Sequence, residues 1–151
     1  MEKIVLYYSR TGNSKRVAEK IGKGLGVEII PIVDENKYKG LFGFIKAGFT
    51  AAKWKKVKYS VDLKEKINDD THVYFVSPVW ASHCASAVYS FLMDNDIKTK
   101  SIVFTNKGSS PEKVYYAMEK RFGEFQNKYC ISKPENNEDE IIKLILKEGS
   151  N

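Results

Sequence analysis

Little in this chain suits it to metal binding or to covalent cross-linking. It has two cysteines, Cys84 and Cys130, far apart, without CxxC spacing and with no histidine cluster beside them. That spacing argues against a zinc site and a disulfide framework, and both are expected to be buried thiols. Long hydrophobic runs are also missing. The apolar stretch behind Met1-Glu2-Lys3 extends only from Ile4 to Tyr8, too short for a signal peptide or a transmembrane segment, so the chain is expected to stay in the cytosol. No GxxxxGK[ST] occurs, and no GxGxxG, although Asp34 and Glu35 follow the second predicted strand; the nucleoside-triphosphate cradle and the dinucleotide fingerprint are therefore both absent. A phosphoacceptor signalling domain is excluded as well, because the first predicted strand ends in Tyr8-Ser9 rather than an acidic pair and the third in Ser77-Pro78 rather than an aspartate. Acidic residues are in the minority, 19 against 25 Lys+Arg, for a net charge of +6 and a pI near 9.1. This balance permits an acidic partner, a phosphorylated ligand or an anionic surface and selects none of them.

What is present is material for a core. A 151-residue chain with 42% hydrophobic and 13% aromatic residues fits a single domain, 1–151, with a substantial interior. Lys3 to Tyr8, Val27 to Ile32, Thr71 to Trp80, Ser101 to Asn106 and Lys128 to Ser132 read as five strands, several of them nearly continuous apolar runs of the kind that parallel strands buried on both faces show. Between them, apolar residues recur at helical spacing: Val17, Ala18, Ile21 and Leu25; Val88, Phe91 and Leu92; Val114, Tyr115, Met118 and Phe122; Ile141, Ile142, Leu144 and Ile145. The acidic stretch Glu135 to Glu140 suits the start of the last helix. Strands alternating with helices predict an α/β fold, a doubly wound five-stranded parallel sheet with helices on both faces.

Ligands of such sheets bind beyond the carboxyl ends of the strands, which directs attention to the loops after the first, third and fourth strands. The first of these, "SRTGNS", packs hydroxyl and amide side chains around Gly12. Gly12 permits a tight turn, neighbouring N–H groups can form an anion nest, and the helix starting near Ser14 adds its positive end. One reading is a phosphate site held largely by neutral donors, with Arg10 adding charge. The other is that Ser9, Thr11, Asn13 and Ser14 are there only as turn and N-cap formers.

Three segments decide between these readings together: "YYSRTGNS" after strand one, "SPVWASHCASAVYSFL" after strand three and "FTNKGSS" after strand four. Over nearly the whole chain they resemble the flavodoxin family, in particular its short-chain bacterial members. The resemblance implies FMN as cofactor and the strand order 2-1-3-4-5. It implies that Ser9, Arg10, Thr11, Gly12, Asn13 and Ser14 hold the FMN phosphate, that Pro78, Val79 and Trp80 lie against the isoalloxazine ring, and that Thr105, Asn106, Lys107 and Gly108 meet the polar edge of the ring. His83 and Cys84 follow closely, but as sequence neighbours without a third orienting group they are not read as a catalytic pair.

The chain also departs from the family pattern. Electron-carrier flavodoxins are often acidic, with a Gly-Asp pair and a tyrosine in the third loop; here the loop reads "TNKGSSPEKVYY", and Tyr115 and Tyr116 fall in a predicted helix. Lys107 beside the ring would favour its reduced, anionic form, where acidic surroundings disfavour it. The expected function is electron transfer or a small FMN-dependent oxidoreduction, for instance on a quinone-like substrate, with a redox partner protein or a small redox substrate and without nucleic acid. The alternative is a flavin-free binding or regulatory module on the same fold. Lys37 to Tyr59 contains no acidic residue. Its Leu41, Phe44, Ile45, Gly48, Phe49 and Ala52 predict a helix covering the sheet. Its basic end, Lys53 to Lys58, is open to three uses: docking an acidic redox partner, contacting an anionic membrane surface, or capping the flavin pocket.

Overall fold

Neighbouring residues of the first strand serve opposite sides of one sheet: Val5 packs into one buried cluster and Leu6 into another, as the two-residue period of a strand requires. A computed structural model describes residues 1–36, 40–64, 67–108 and 110–151. Its parallel strands are β1 (Glu2–Tyr7), β2 (Glu28–Pro31), β5 (Thr71–Trp80), β7 (Thr99–Asn106) and β8 (Lys128–Ser132). The short strands β3 (Val33–Asp34), β4 (Tyr59–Ser60) and β6 (His83–Cys84) complete the set among the described residues. The helices are α1 (Asn13–Leu25), α2 (Gly40–Ala52), α3 (Ser86–Asp94), α4 (Pro111–Phe122) and α5 (Pro134–Gly149).

The sheet order is β2-β1-β5-β7-β8, every pair parallel. Counting the parallel strands alone, this is 2-1-3-4-5, as expected. The central strands alternate between two packing partners. Val5, Tyr74, Val76, Val103 and Ile131 meet Val17 and Ile21 of α1 and Ile142 and Ile145 of α5. Leu6, Val73, Phe75, Ile102 and Phe104 meet Val88 and Phe91 of α3, Met118 of α4 and Ala47 and Ala51 of α2. Each fully buried Val, Leu, Ile, Met or Phe among them contributes about 1.5–3 kcal/mol before the entropy of ordering is counted.

Helix α1 approaches β2 closely because Gly22 faces it: a Cβ there would lie 2.2 Å from Ile29 Cγ1. On its outer side α1 is tied to α5 by charge. Arg16 donates to both oxygens of the buried Glu138 carboxylate at 2.7–3.1 Å, and Lys20 Nζ lies 2.6 Å from its Oε1. The Arg16 hydrogen bond, joined by Lys20, holds the Glu138 carboxyl below its usual range.

Two features differ from expectation. The strands β3, β4 and β6 form antiparallel pairs, Val33–Asp34 with Tyr59–Ser60 and Val79–Trp80 with His83–Cys84; two-residue strands carry no periodicity by which they could be read. The helix expected within Lys37 to Tyr59 is present as α2, but three of the six residues expected to face the sheet do not. Gly43, Ala47 and Ala51 are buried, whereas Ile45, Phe49 and Ala52 are exposed, and the side chains of Leu41, Phe44 and Gly48 lie outside the described ones. Apart from Lys46 and Thr50 this helix is made of apolar residues and glycine, so periodicity alone could not choose the inward face. Small residues spaced by four let its backbone come close to the sheet, and they take that face.

Candidate functional site

The turn between β1 and α1 is built on Gly12, whose φ of 100° and ψ of −14° are left-handed. That conformation suits glycine and strains any residue with a Cβ, although nothing lies within 4 Å of where the Cβ would be. The Gly12 N–H donates to Ser9 Oγ at 3.0 Å, and its carbonyl accepts the first helical bond, from Arg16 N. No side chain caps the helix and no acidic residue stands in its first turn. An α-helix begins with backbone N–H groups that have no partner within the helix, and here they stay available with the positive end of the helix dipole behind them. Ser14, only 2% exposed, pairs its Oγ with Thr105 Oγ1 at 2.8 Å. Asn13 is engaged sideways: its Nδ2 donates to Glu135 Oε1 at 3.1 Å and its Oδ1 accepts from Arg16 at 3.0 Å. Its side chain therefore braces the turn against α5, and what it offers the cavity is backbone.

The second wall comes from the end of β5. There the strand turns back into β6 through Ala81 and Ser82, both at positive φ. Two consecutive left-handed residues make the tight hairpin turn whose twist matches that of the flanking strands. Ser77 Oγ accepts from Ala85 N at 2.9 Å and fixes the returning strand. Trp80, the register partner of His83, is 7% exposed and meets Tyr8 edge-to-face, with ring centroids 5.1 Å apart and an interplanar angle of 80°.

The third wall follows β7. Asn106 Oδ1 accepts from Gly108 N at 2.8 Å and from Ser132 Oγ at 3.1 Å, and its Nδ2 contacts Cys130 Sγ at 3.1 Å. The side chain thus holds the turn in which Gly108 sits at φ 127°. The Asn106 carbonyl also accepts from Lys133 N at 2.9 Å, where the chain turns into α5.

These walls enclose a cavity of about 380 Å³. From the first loop it is lined by Ser9, Arg10, Thr11, Asn13 and Ser14; from the second by Pro78, Val79 and Trp80; from the third by Thr105, Asn106 and Lys107. Of the thirteen residues expected at the site, Gly12 and Gly108 shape the turns without lining the cavity, and the other eleven line it. Sequence reading missed Pro134, the first residue of α5, which completes the lining. Its signal lies in the sequence, since it follows the carboxyl end of the fifth strand, outside the three loops that carry the motifs. Polar donors gather at the α1 end and an apolar wall at Pro78–Trp80. The cavity thus has the chemistry to hold an anionic group at one end and a flat apolar group at the other.

A second depression, of about 490 Å³, lies on the opposite side of the first loop, between Arg10, Lys15, Pro31 and Asp34. The Asp34 carboxylate makes it a poorer place for an anion. Cys84 and His83 are buried and structural. Burial pushes the Cys84 thiol far above its usual range and the His83 imidazole below its own. His83 stacks on Trp54 at 4.0 Å between centroids. Cys130 is half-buried, against the expectation of full burial, and its sulfur accepts from Asn106 beside the cavity.

No family model matches the sequence and no curated protein matches it. The fold has close counterparts among solved structures. A protein of Bacteroides eggerthii DSM 20697, assigned as a flavoprotein, aligns over 99% of this chain and 98% of its own, with a TM-score of 0.76 and 19% identity. A flavoprotein of Lactobacillus acidophilus NCFM, crystallised in complex with FMN, aligns over 94% and 97% with a TM-score of 0.73 and 18% identity. An archaeal flavodoxin aligns over the full length of both chains with a TM-score of 0.52 and 16% identity. At these identities the likeness concerns the fold: the chain has the flavodoxin-like α/β fold.

Proposed function

We propose that this chain binds FMN in the cavity between the three loops and takes part in electron transfer, as a carrier or as a small FMN-dependent oxidoreductase acting, for instance, on a quinone-like substrate. The observation that carries this reading is the uncapped start of α1, free of acidic residues, opening into a cavity whose far wall is Pro78, Val79 and Trp80. The FMN complex of the Lactobacillus acidophilus protein, on the same fold, supports it.

In this reading Ser9 to Ser14, through the backbone N–H groups of the first helical turn and the Thr11 and Ser14 hydroxyls, hold the phosphate with Arg10 adding charge, and Thr105 to Gly108 meet the polar edge of the ring. Neutral donors suffice because hydrogen bonds to a charged group contribute about 1.5–3 kcal/mol each. Trp80, packed edge-on by Tyr8, offers a wall whose orientation is set before any ligand arrives. Lys107 is exposed beside the cavity and brings a positive charge to its rim. FMN, when bound, supplies the redox chemistry, accepting an electron or a hydride; no side chain of this protein needs to transfer a proton.

The test is direct. Purified protein incubated with FMN and desalted retains the flavin absorbance bands, and heating releases FMN rather than FAD. Protein that keeps no flavin would instead be a flavin-free binding module on this fold.

A further inference from the structure

Helix α2 shows large apolar side chains to solvent. Among its described side chains Gly43, Ala47 and Ala51 are buried, while Phe42, Ile45 and Phe49 are 87%, 59% and 61% exposed. Their spacing of three and four residues puts all three on one stripe of the helix, directed away from the sheet. An exposed stripe of large apolar side chains costs solubility unless something covers it.

The charge around the stripe indicates what that is. Between Lys37 and Tyr59 the sequence holds seven lysines and no acidic residue. Lys56 and Lys58 are neutralised by Asp94 and Glu35. Lys46, Lys53 and Lys55 are exposed and have no ion-pair partner among the described residues. Lys53 lies one turn beyond Phe49 with its ammonium 4.3 Å from the centre of that ring, so cation and apolar group are presented together.

We infer that α2 is a docking element for an anionic lipid surface: Phe42, Ile45 and Phe49 enter the boundary between headgroups and acyl chains, and Lys46, Lys53 and Lys55 face the lipid phosphates. Large apolar side chains flanked by lysines are the pattern of helices that lie in a membrane interface without crossing it. Among the described residues no helix is long and apolar enough to cross a membrane, and none is needed. Lysines alone would suit an acidic protein, but three large apolar side chains on one stripe beside them match the pattern of an interfacial helix more fully.

The geometry also relates this surface to the cavity. Trp54, two residues beyond α2, stacks on His83, the register partner of Trp80. The chain segment that leaves this surface thus packs against the hairpin that carries Trp80.

The inference is tested with the full chain and does not depend on flavin. Sedimentation is measured with phosphatidylcholine vesicles and with vesicles in which part of that lipid is replaced by phosphatidylglycerol. The expected result is binding to the anionic vesicles only, weakened by salt. Phe42→Ser with Phe49→Ser should weaken it on the order of tenfold or more, as should Lys46→Glu with Lys53→Glu. Circular dichroism confirms that both variants remain folded. Absence of binding to anionic vesicles at low salt, or binding indifferent to both pairs of substitutions, overturns the inference. Retention on an acidic protein without any vesicle binding overturns it as well.

Discussion

Ser14 and Thr105, ninety-one residues apart, share a buried hydroxyl–hydroxyl hydrogen bond of 2.8 Å at the floor of the cavity. It joins the start of α1 to the end of β7, so the first and third loops share an anchor at their bases. Thr11→Ala combined with Ser14→Ala should remove two hydroxyls from the proposed phosphate site. At about 1.5–3 kcal/mol for each bond to a charged group, FMN affinity should fall by at least tenfold, measured by quenching of flavin fluorescence. Unchanged affinity would remove the phosphate from this loop. Thr105→Val isolates the share that passes through the Ser14 contact.

Trp80 is best probed by a moderate change. Because it is 7% exposed and packed against Tyr8, Trp80→Ala would cost about 3–5 kcal/mol in packing alone and confuse folding with binding. Trp80→Phe should keep the fold, raise the emission of bound flavin and shift its midpoint potential. Identical emission in the two proteins would mean that the indole does not touch the ring.

Lys107 lies at the cavity rim and is exposed. Lys107→Glu replaces an attractive charge with a repulsive one near a group that becomes more negative on reduction. The midpoint potential of the holoprotein should fall, and the fall should shrink in high salt. A potential that stays the same in low salt would place the ring away from this side chain.

Glu138 provides a test that needs no ligand. Arg16 and Lys20 depress its folded-state pKa, so its contribution is present above the ordinary carboxylate pKa and is lost as pH falls through the depressed value. Glu138→Gln should lower stability at neutral pH by about 1–2 kcal/mol. In thermal melts the gap between the two proteins should close in strong acid. A gap that persists there would mean that the carboxylate charge is not what joins α1 to α5.

The parallel sheet was legible because its strands are buried on both faces and leave long apolar runs such as Thr71 to Trp80, with helical periods between them. The three loops were legible for a related reason: ligand sites of such sheets lie at strand carboxyl ends, and "SRTGNS" and "PVW" have distinctive chemistry there. What escaped is what depends on tertiary contact. The side-chain engagement of Asn13 is made by Glu135, more than a hundred residues away. The inward face of α2 is set by how near the sheet comes, which Gly43, Ala47 and Ala51 answer with small size rather than hydrophobicity. The Ala81–Ser82 turn contains no glycine or asparagine, the residues that usually announce a left-handed pair.

The Arg16–Glu138 contact spans 122 residues of chain, and Pro134 closes the cavity from the same late segment. Contacts between segments so far apart in sequence form only once the long stretch between them has closed, so the cavity is completed by the tertiary fold and not by the first loop alone.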